Sequence, residues 1–407
     1  MKCRHCDTPL TDVFINLFNQ PPSNSFLTKA QLDEPETYYP LKAYVCPECF
    51  LVQVAEYKKS QTIFSDEYVY YSSYSTSWVN HARRYADMAE ERFGLDRNSF
   101  VVEIASNDGY LLQWFLKKEI PCLGVEPTGG TAEVSRKKGI KNICEFFGKQ
   151  LADRLCREGR QADLLLGNNV LAHVPDINDF VSGLKIALKP HGVITMEFPH
   201  LMNLVEYNQF DTIYHEHFFY LSLLTVKRIF SHHDLTIFDV EKLPTHGGSL
   251  RIFARHAESG CEVLSSVSDI LDQERSRGLD SINYYNGFQN KADSIKSDVL
   301  SFLIEQKRKG KTVAAYGAAA KGNTLLNYCG IRNDLISFCV DMSPHKQGLF
   351  MPGSHLPVLH PSIIKEKKPD FVIILPWNIQ NEIKGQHGYV KNWGGQFVTF
   401  IPKIEIS

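Results

Sequence analysis

The sequence has no run of about 18 apolar residues, so no helical membrane span is expected. Its first stretch, MKCRHCDTPL, carries no apolar secretory core. A soluble cytoplasmic protein without a membrane partner is therefore the expectation. Charge of either sign is not in excess: 44 Lys and Arg face 46 Asp and Glu, a formal net charge of -2 over 407 residues. That balance gives no basic footprint for nucleic acid. Two nucleotide and metal patterns are missing as well. Asn323 and Thr324 follow Gly322 where a P-loop requires Lys and Ser or Thr, and no pair of histidines takes the H-E-x-x-H spacing of zinc proteases. What remains is a chain long enough for two or three domains with substantial cores.

Of the ten cysteines, four form two Cys-x-x-Cys pairs, Cys3/Cys6 and Cys46/Cys49. In a large chain of intracellular character thiols stay reduced, which favours metal over disulfides. Each pair can turn two thiolates toward one tetrahedral ion. Four thiolates close the coordination sphere and leave no position for water, so the expected zinc is structural rather than catalytic, and a redox pair is the weaker reading. His5 is expected to be a bystander. The intervening FINLFNQPPSNSFL and YYPLKAYVC complete a small zinc-binding lobe, residues 1–65. Tyr68, Tyr70, Tyr71 and Tyr74 then crowd together. Their rings suit packing against the next domain, and their hydroxyls suit a pocket edge.

SFVVEIASNDGYLLQWFLKKE is a buried strand over 100–105, a polar turn and a helix from near Gly109, an arrangement that places a ligand beyond the strand's carboxyl end. IPCLGVEP ends a second strand in Glu126, where an acid can accept both ribose hydroxyls. ADLLLGNN and HGVITMEFP supply further strands, with LKPHG as a turn, giving a doubly wound sheet over residues 66–260. After a polar helical connection, KTVAAYGAAAKGNTLLNYCG opens a second Rossmann-like unit within residues 261–407, continued by LISFCVD, DFVIILPWN and FVTFIP. Its turn, Gly317-x-Ala319-x-x-Gly322, with Asp341 24 residues beyond Gly317, imitates a dinucleotide site. A nicotinamide-dependent oxidoreductase is thus an alternative, although Ala319 crowds the position where pyrophosphate would approach.

The segment TIYHEHFFYL, residues 212–221, suits a metal site, a proton-transfer site or a tight piece of core. In extended backbone 215 and 217 share one face while 214 and 216 share the other. For Tyr214 and His217 to meet one ligand, the chain must bend.

The strand ending at Glu103 with Gly109 beyond it, Glu126, NNVLAHVPD and LKPHGVITMEFP together resemble a class I S-adenosylmethionine-dependent methyltransferase, with Ala105 and Asn107 at positions usually held by glycine. EIASNDGYLL, the four-cysteine lobe, YVYYSSYS, NNVLAHVPDINDF, YHEHFFYLS and THGGSLR resemble, in order and over nearly the whole chain, the sugar C-methyltransferases of deoxysugar biosynthesis. The resemblance implies a substrate that is a nucleotide-linked 4-keto-6-deoxyhexose, carried on dTDP or GDP and methylated at C3. It implies S-adenosylmethionine held by Glu103, Ser106, Asn107, Gly109, Glu126 and Asn168, and one structural zinc. It places Tyr214, Glu216, His217 and His173 at the reacting centre, with His217 as base and Glu216 holding its tautomer. The acceptor is expected at Tyr68 or Tyr70, Asn169 and Asp341, its diphosphate at the helix N-terminus near Ala320, Lys321, Gly322 and Asn323. A monomer is expected, since three domains can close a cleft among themselves.

Overall fold

The computed structural model describes residues 1–57 and 71–407, so Tyr68 and Tyr70 lie outside the described residues. Near the N-terminus, β1 (Asp12–Gln20), β2 (Tyr39–Val45) and β3 (Val52–Val54) form an antiparallel sheet. The turn between β2 and β3 carries Cys46 and Cys49, and all four paired cysteines gather beside this sheet.

The central sheet has seven strands: β4 (Val101–Ile104), β5 (Cys122–Val125), β6 (Lys141–Ile143), β7 (Ala162–Asn168), β8 (Leu188–Pro199), and, after β9 (Phe219–Tyr220), β10 (Leu235–Leu243) and β11 (Ser249–His256). Their order is β10-β11-β8-β7-β4-β5-β6. The strands from β6 to β8 are parallel, and β11 runs antiparallel to both its neighbours. Chain direction of travel across the sheet reverses at β4, which opens a crevice at its carboxyl end. Residues of β4, β5 and β7 are buried on both faces, as helix-covered parallel strands require.

Two local expectations are corrected. LKPHG is part of β8, not a turn: Leu188 pairs with Ala162, and a register shift follows before Val193 meets Leu164. Gly192 allows this, since a Cβ there would stand 2.8 Å from the Ala162 carbonyl oxygen. The helix after β4 begins at Leu112 rather than near Gly109, because Ala105, Asn107 and Gly109 all take positive φ (55, 49 and 76°) and hold the backbone in turns.

β9 does not join the central sheet. It pairs antiparallel with β3, Val52 opposite Tyr220, so the chain just after the Tyr-His-Glu-His segment becomes the fourth strand of the zinc lobe's sheet. The lobe thus fixes one end of that segment.

Helices Ser265–Arg277 and Phe288–Arg308 lead to the third sheet. It contains β12 (Val313–Tyr316), β13 (Cys339–Val340), β14 (Val358–Leu359), β15 (Phe371–Ile374), β16 (Gln396–Thr399) and β17 (Glu405–Ile406), in the order β14-β13-β12-β15-β16-β17. Only β17 is antiparallel. Wholly buried Glu274 ties the connection to the central domain. It accepts from the Leu223 and Leu224 amides at the N-terminus of helix Leu223–His232, 2.7 Å each, and lies 2.7 Å from His200 Nε2. Among the described residues no helix is long and apolar enough to cross a membrane.

Candidate active site and zinc centre

The ligand sulfurs of Cys3, Cys6, Cys46 and Cys49 all lie within 4.8 Å of one another, with Cys3–Cys49 at 3.6 Å and Cys6–Cys46 at 3.5 Å. A tetrahedral ion with Zn–S near 2.3 Å would separate its sulfurs by about 3.8 Å, so the donor set fits zinc. Gln53 Nε2 donates to Cys3 Sγ at 3.3 Å, holding that ligand from outside. His5 turns away to Asn178 Oδ1 at 2.9 Å.

A cavity of about 470 Å³ opens beyond the carboxyl end of β4. All three regions line it: Asn24 from the zinc lobe, Asn107, Glu126 and Asn168 from the central domain, and Ala319, Ala320, Lys321 and Lys346 from the C-terminal unit. The Glu126 carboxylate accepts from the Asn107 amide at 2.8 Å and from the Thr128 amide at 2.9 Å, and the Thr128 hydroxyl also bonds it. Burial raises the Glu126 pKa against the lowering effect of these donors. Each carboxylate oxygen has two lone pairs; Oε1 takes both Thr128 donors and Oε2 the Asn107 amide, so the acid retains one accepting position, on Oε2, for a hydroxyl. Asn168 Nδ2 contacts the Tyr110 hydroxyl at 3.3 Å in the same wall. These groups fit the adenosine end of S-adenosylmethionine.

Three residues expected at that cofactor stand behind the wall instead. Glu103 is fully buried, and burial beside Asp108 and Glu126 lifts its pKa well above the carboxylate range. Ser106 gives its hydroxyl to Asn142 Oδ1 at 3.0 Å. Gly109 faces Ile140 and Ser135, where a Cβ would come within 2.5 Å of the isoleucine. All three shape the turn; none of them lines the cavity.

The Tyr-His-Glu-His segment does bend. A turn over 214–217, closed by the His217 amide on the Tyr214 carbonyl at 3.0 Å, brings the Tyr214 hydroxyl to 2.8 Å from His217 Nε2. His217 Nδ1 faces the Thr212 carbonyl at 3.0 Å, so it carries the proton, and Nε2 accepts from the phenol. The Thr212 carbonyl therefore holds the tautomer, a role expected of Glu216. The turn sends Glu216 elsewhere: its Oε1 accepts from Asn24 Nδ2 at 2.7 Å. His173 packs edge-on to His217 with centroids 4.6 Å apart and donates through Nδ1 to the Glu216 carbonyl at 2.8 Å. Burial lowers the His173 pKa to about 4, and burial, with the neighbouring His173, puts His217 well below its ordinary value. His215 lies outside the cluster, bonded to the Pro40 carbonyl at 3.2 Å.

At the second Gly-rich turn, Lys321 reaches the cavity, its Nζ 2.7 Å from Asn378 Oδ1 and 4.6 Å above the Trp377 ring. Gly322, Asn323 and Asp341 do not line it. Gly322 packs on Leu375, where a Cβ would meet side-chain atoms at 2.7 Å, and Asn323 donates to the Ser23 carbonyl at 2.5 Å. Asp341 accepts from the Ala318 and Ser343 amides, 2.8 Å each, so it braces the turn rather than facing a ligand. An oxidoreductase would need that acid to face a ribose; here it does not line the cavity.

The sequence reading passed over His246, which lines the cavity, and Trp377, which closes the domain boundary. Trp377 donates to buried Asp211 at 2.7 Å and lies against Gly247, where a Cβ would stand 2.4 Å from its ring. The stretch THGGSLR held the one local signal, a histidine before two glycines.

Three family models match along the chain: one described as "Putative zinc binding domain" over residues 3–64, a methyltransferase domain over 78–240 and a C-methyltransferase C-terminal domain over 244–402. The C-methyltransferase NovU of Streptomyces niveus is 34% identical over 372 residues, which cover 91% of this chain and 88% of NovU. Solved structures similar over part of the chain include an S-adenosylmethionine-dependent methyltransferase from Anabaena variabilis (14% identity, TM-score 0.36, covering 42% of this chain and 83% of that one). Another is the magnesium protoporphyrin IX methyltransferase of Synechocystis (12%, TM-score 0.35, 43% and 82%). With its zinc-binding cysteines, its class I sheet and its C-terminal domain, the chain belongs to the C-methyltransferase family that includes NovU, and is an S-adenosylmethionine-dependent C-methyltransferase.

Proposed function

We propose that the acceptor is a nucleotide-linked 4-keto-6-deoxyhexose, on dTDP or GDP, and that the methyl group goes to a ring carbon beside the ketone, C3. The observation that carries this reading is that a single cavity holds the Glu126 wall, the Tyr214–His217 pair and the Lys321 end of helix Ala320–Cys329. Residues 1–65, 66–260 and 261–407 then act as zinc lobe, methyltransferase domain and acceptor-binding domain, and one chain suffices for the site.

Carbon methylation needs a nucleophilic carbon, and a 4-ketone acidifies the C–H beside it. S-adenosylmethionine, when bound, supplies the electrophilic methyl group. Glu126, Asn107 and Asn168 hold it. The Tyr214–His217 pair takes the ring proton: Nε2 is the free base, and the phenol on it either moves aside or passes the proton through its own oxygen. Thr212 keeps the opposite nitrogen protonated and the ring in place. His173 and Glu216 brace this pair, and Asn169 contributes to the acceptor's side of the cavity. Lys321 and the first-turn amides at Ala320 suit the diphosphate. C5 is acidified equally by the ketone, so the choice of C3 rests on family resemblance.

Incubation with dTDP- and GDP-linked 4-keto-6-deoxyhexoses and a 13C-methyl donor tests this. A new C–CH3 signal coupled to ring carbon C3 is expected. An O-methyl product, or no methyl gain with any ketosugar nucleotide, would overturn the acceptor assignment.

A further inference from the structure

His246 lines the cavity and has no task in the proposed reaction so far. It follows Thr245, whose hydroxyl bonds Glu197 Oε1 at 2.8 Å, and precedes Gly247, whose carbonyl accepts from Gln209 Nε2 at 2.9 Å. Its own backbone takes φ 53°, ψ 24°, a left-handed conformation that non-glycine residues adopt at a cost, and which clusters at functional sites. Glu197, held by His81 and Arg251 at 2.8 Å each, and the wedge of Trp377 against Gly247 keep the segment in place.

The ring is as constrained as the backbone. Trp78 meets it edge-on at 5.0 Å between centroids, and Asn169 Nδ2 lies 2.9 Å from Nε2. With the amide nitrogen donating, Nε2 is unprotonated and the hydrogen sits on Nδ1. Nδ1 has no partner among the described residues, although the ring lines the cavity. Burial lowers the His246 pKa to about 4 and Lys321 adds to the shift, so the imidazole is neutral at neutral pH. His246 and Lys321 are both felt electrostatically at His217, and all three line the same cavity.

A neutral imidazole with one fixed N–H and an unused direction into a cavity is suited to polarising a carbonyl without surrendering its proton. We propose that His246 is a catalytic residue whose Nδ1–H donates to the ketone oxygen of the acceptor as that oxygen takes on charge. This rests on the ketone-acceptor reading. The base removes the ring proton, the C–H electron pair becomes the C=C bond of the enolate, and the carbonyl π pair moves to oxygen, where His246 donates. When the methyl group is transferred, the enolate C=C pair forms the new C–CH3 bond, the S–CH3 pair stays on the donor's sulfur as a thioether, and the oxygen pair restores the ketone; the imidazole proton stays on nitrogen throughout. Asn169 is the positioning residue that sets the tautomer.

The test is exchange of the acceptor's ring proton for solvent deuterium without methyl donor, in the full-length zinc-loaded protein. His246→Ala removes the donor. His246→Asn restores an N–H at the place of Nδ1 and tolerates positive φ. Exchange is expected to slow on the order of 10²-fold in His246→Ala, as for loss of one oxyanion donor, and to recover most of that in His246→Asn. Wild-type exchange in His246→Ala would overturn the inference while leaving the acceptor reading intact; no exchange in wild type with any ketosugar nucleotide would overturn both. If the alanine variant fails to fold, 15N spectra of histidine-labelled wild-type protein decide the matter. A neutral Nδ1–H tautomer at His246 supports the role, and an Nε2–H tautomer or an imidazolium at neutral pH overturns it.

Discussion

The central and C-terminal sheets use the same local device and put it to different ends. In each, an acid at the end of the second strand bonds an amide in the turn after the first strand and an amide two residues along its own loop. Glu126 takes Asn107 and Thr128; Asp341 takes Ala318 and Ser343. The surroundings separate them. Glu126 lines the cavity with capacity to spare. Asp341 stands 3.9 Å from the Lys346 ammonium, which also donates to the Ala318 carbonyl at 2.9 Å. A strand–turn–helix with an acid at the right distance therefore faces the cavity in one sheet and braces its own turn in the other. In the brace, the helix beyond it offers Lys321 to the cavity.

The largest expected effect separates chemistry from both devices. His217→Ala should lower turnover on the order of 10²–10⁴-fold, the usual worth of a positioned base, with S-adenosylmethionine affinity by calorimetry unchanged; comparable losses in both would make the histidine a wall residue. Next, Glu126→Ala should weaken S-adenosylmethionine binding about 10–100-fold, the loss of a hydrogen bond to a charged group. Asp341→Ala should leave that affinity within about twofold and lower unfolding stability by about 1–3 kcal/mol, because two amides lose their acceptor. Equal effects of the two on cofactor binding would erase the distinction.

Lys321→Ala should raise KM for the acceptor on the order of tenfold, in line with a charge-assisted contact, with kcat at saturation changed far less. The smallest signature lies in pH. Burial holds His217 below the ordinary value of about 6.5, so its proton-accepting form persists as pH falls through that value. The acid limb of kcat/KM should lie below pH 6.5; a limb above it would mean a base exposed to water.

What could be read from the sequence alone was whatever depends on near neighbours. Two Cys-x-x-Cys pairs define their own geometry, and the strand ahead of Glu126 follows from apolar content and its turn. The bend at 214–217 followed from asking how Tyr214 and His217 could meet. Contacts between distant segments were not legible. Nothing near Asn24 announces that it meets Glu216, nor does the sequence around Trp377 point to Asp211. Direction was the other loss: Glu103, Ser106 and Gly109 stand in or beside the turn by position, but Glu103 is wholly buried in β4, Ser106 bonds Asn142 and Gly109 faces Ile140, so none of them lines the cavity.

The most direct test of the central claim, that one cavity makes a ring carbon nucleophilic by taking its proton, is to incubate a dTDP- or GDP-linked 4-keto-6-deoxyhexose with the wild-type protein in deuterated water without S-adenosylmethionine. The account predicts slow deuterium uptake at one ring carbon, lost in His217→Ala. Methyl transfer to carbon that proceeds with no uptake at that carbon, or uptake undiminished in His217→Ala, would contradict it.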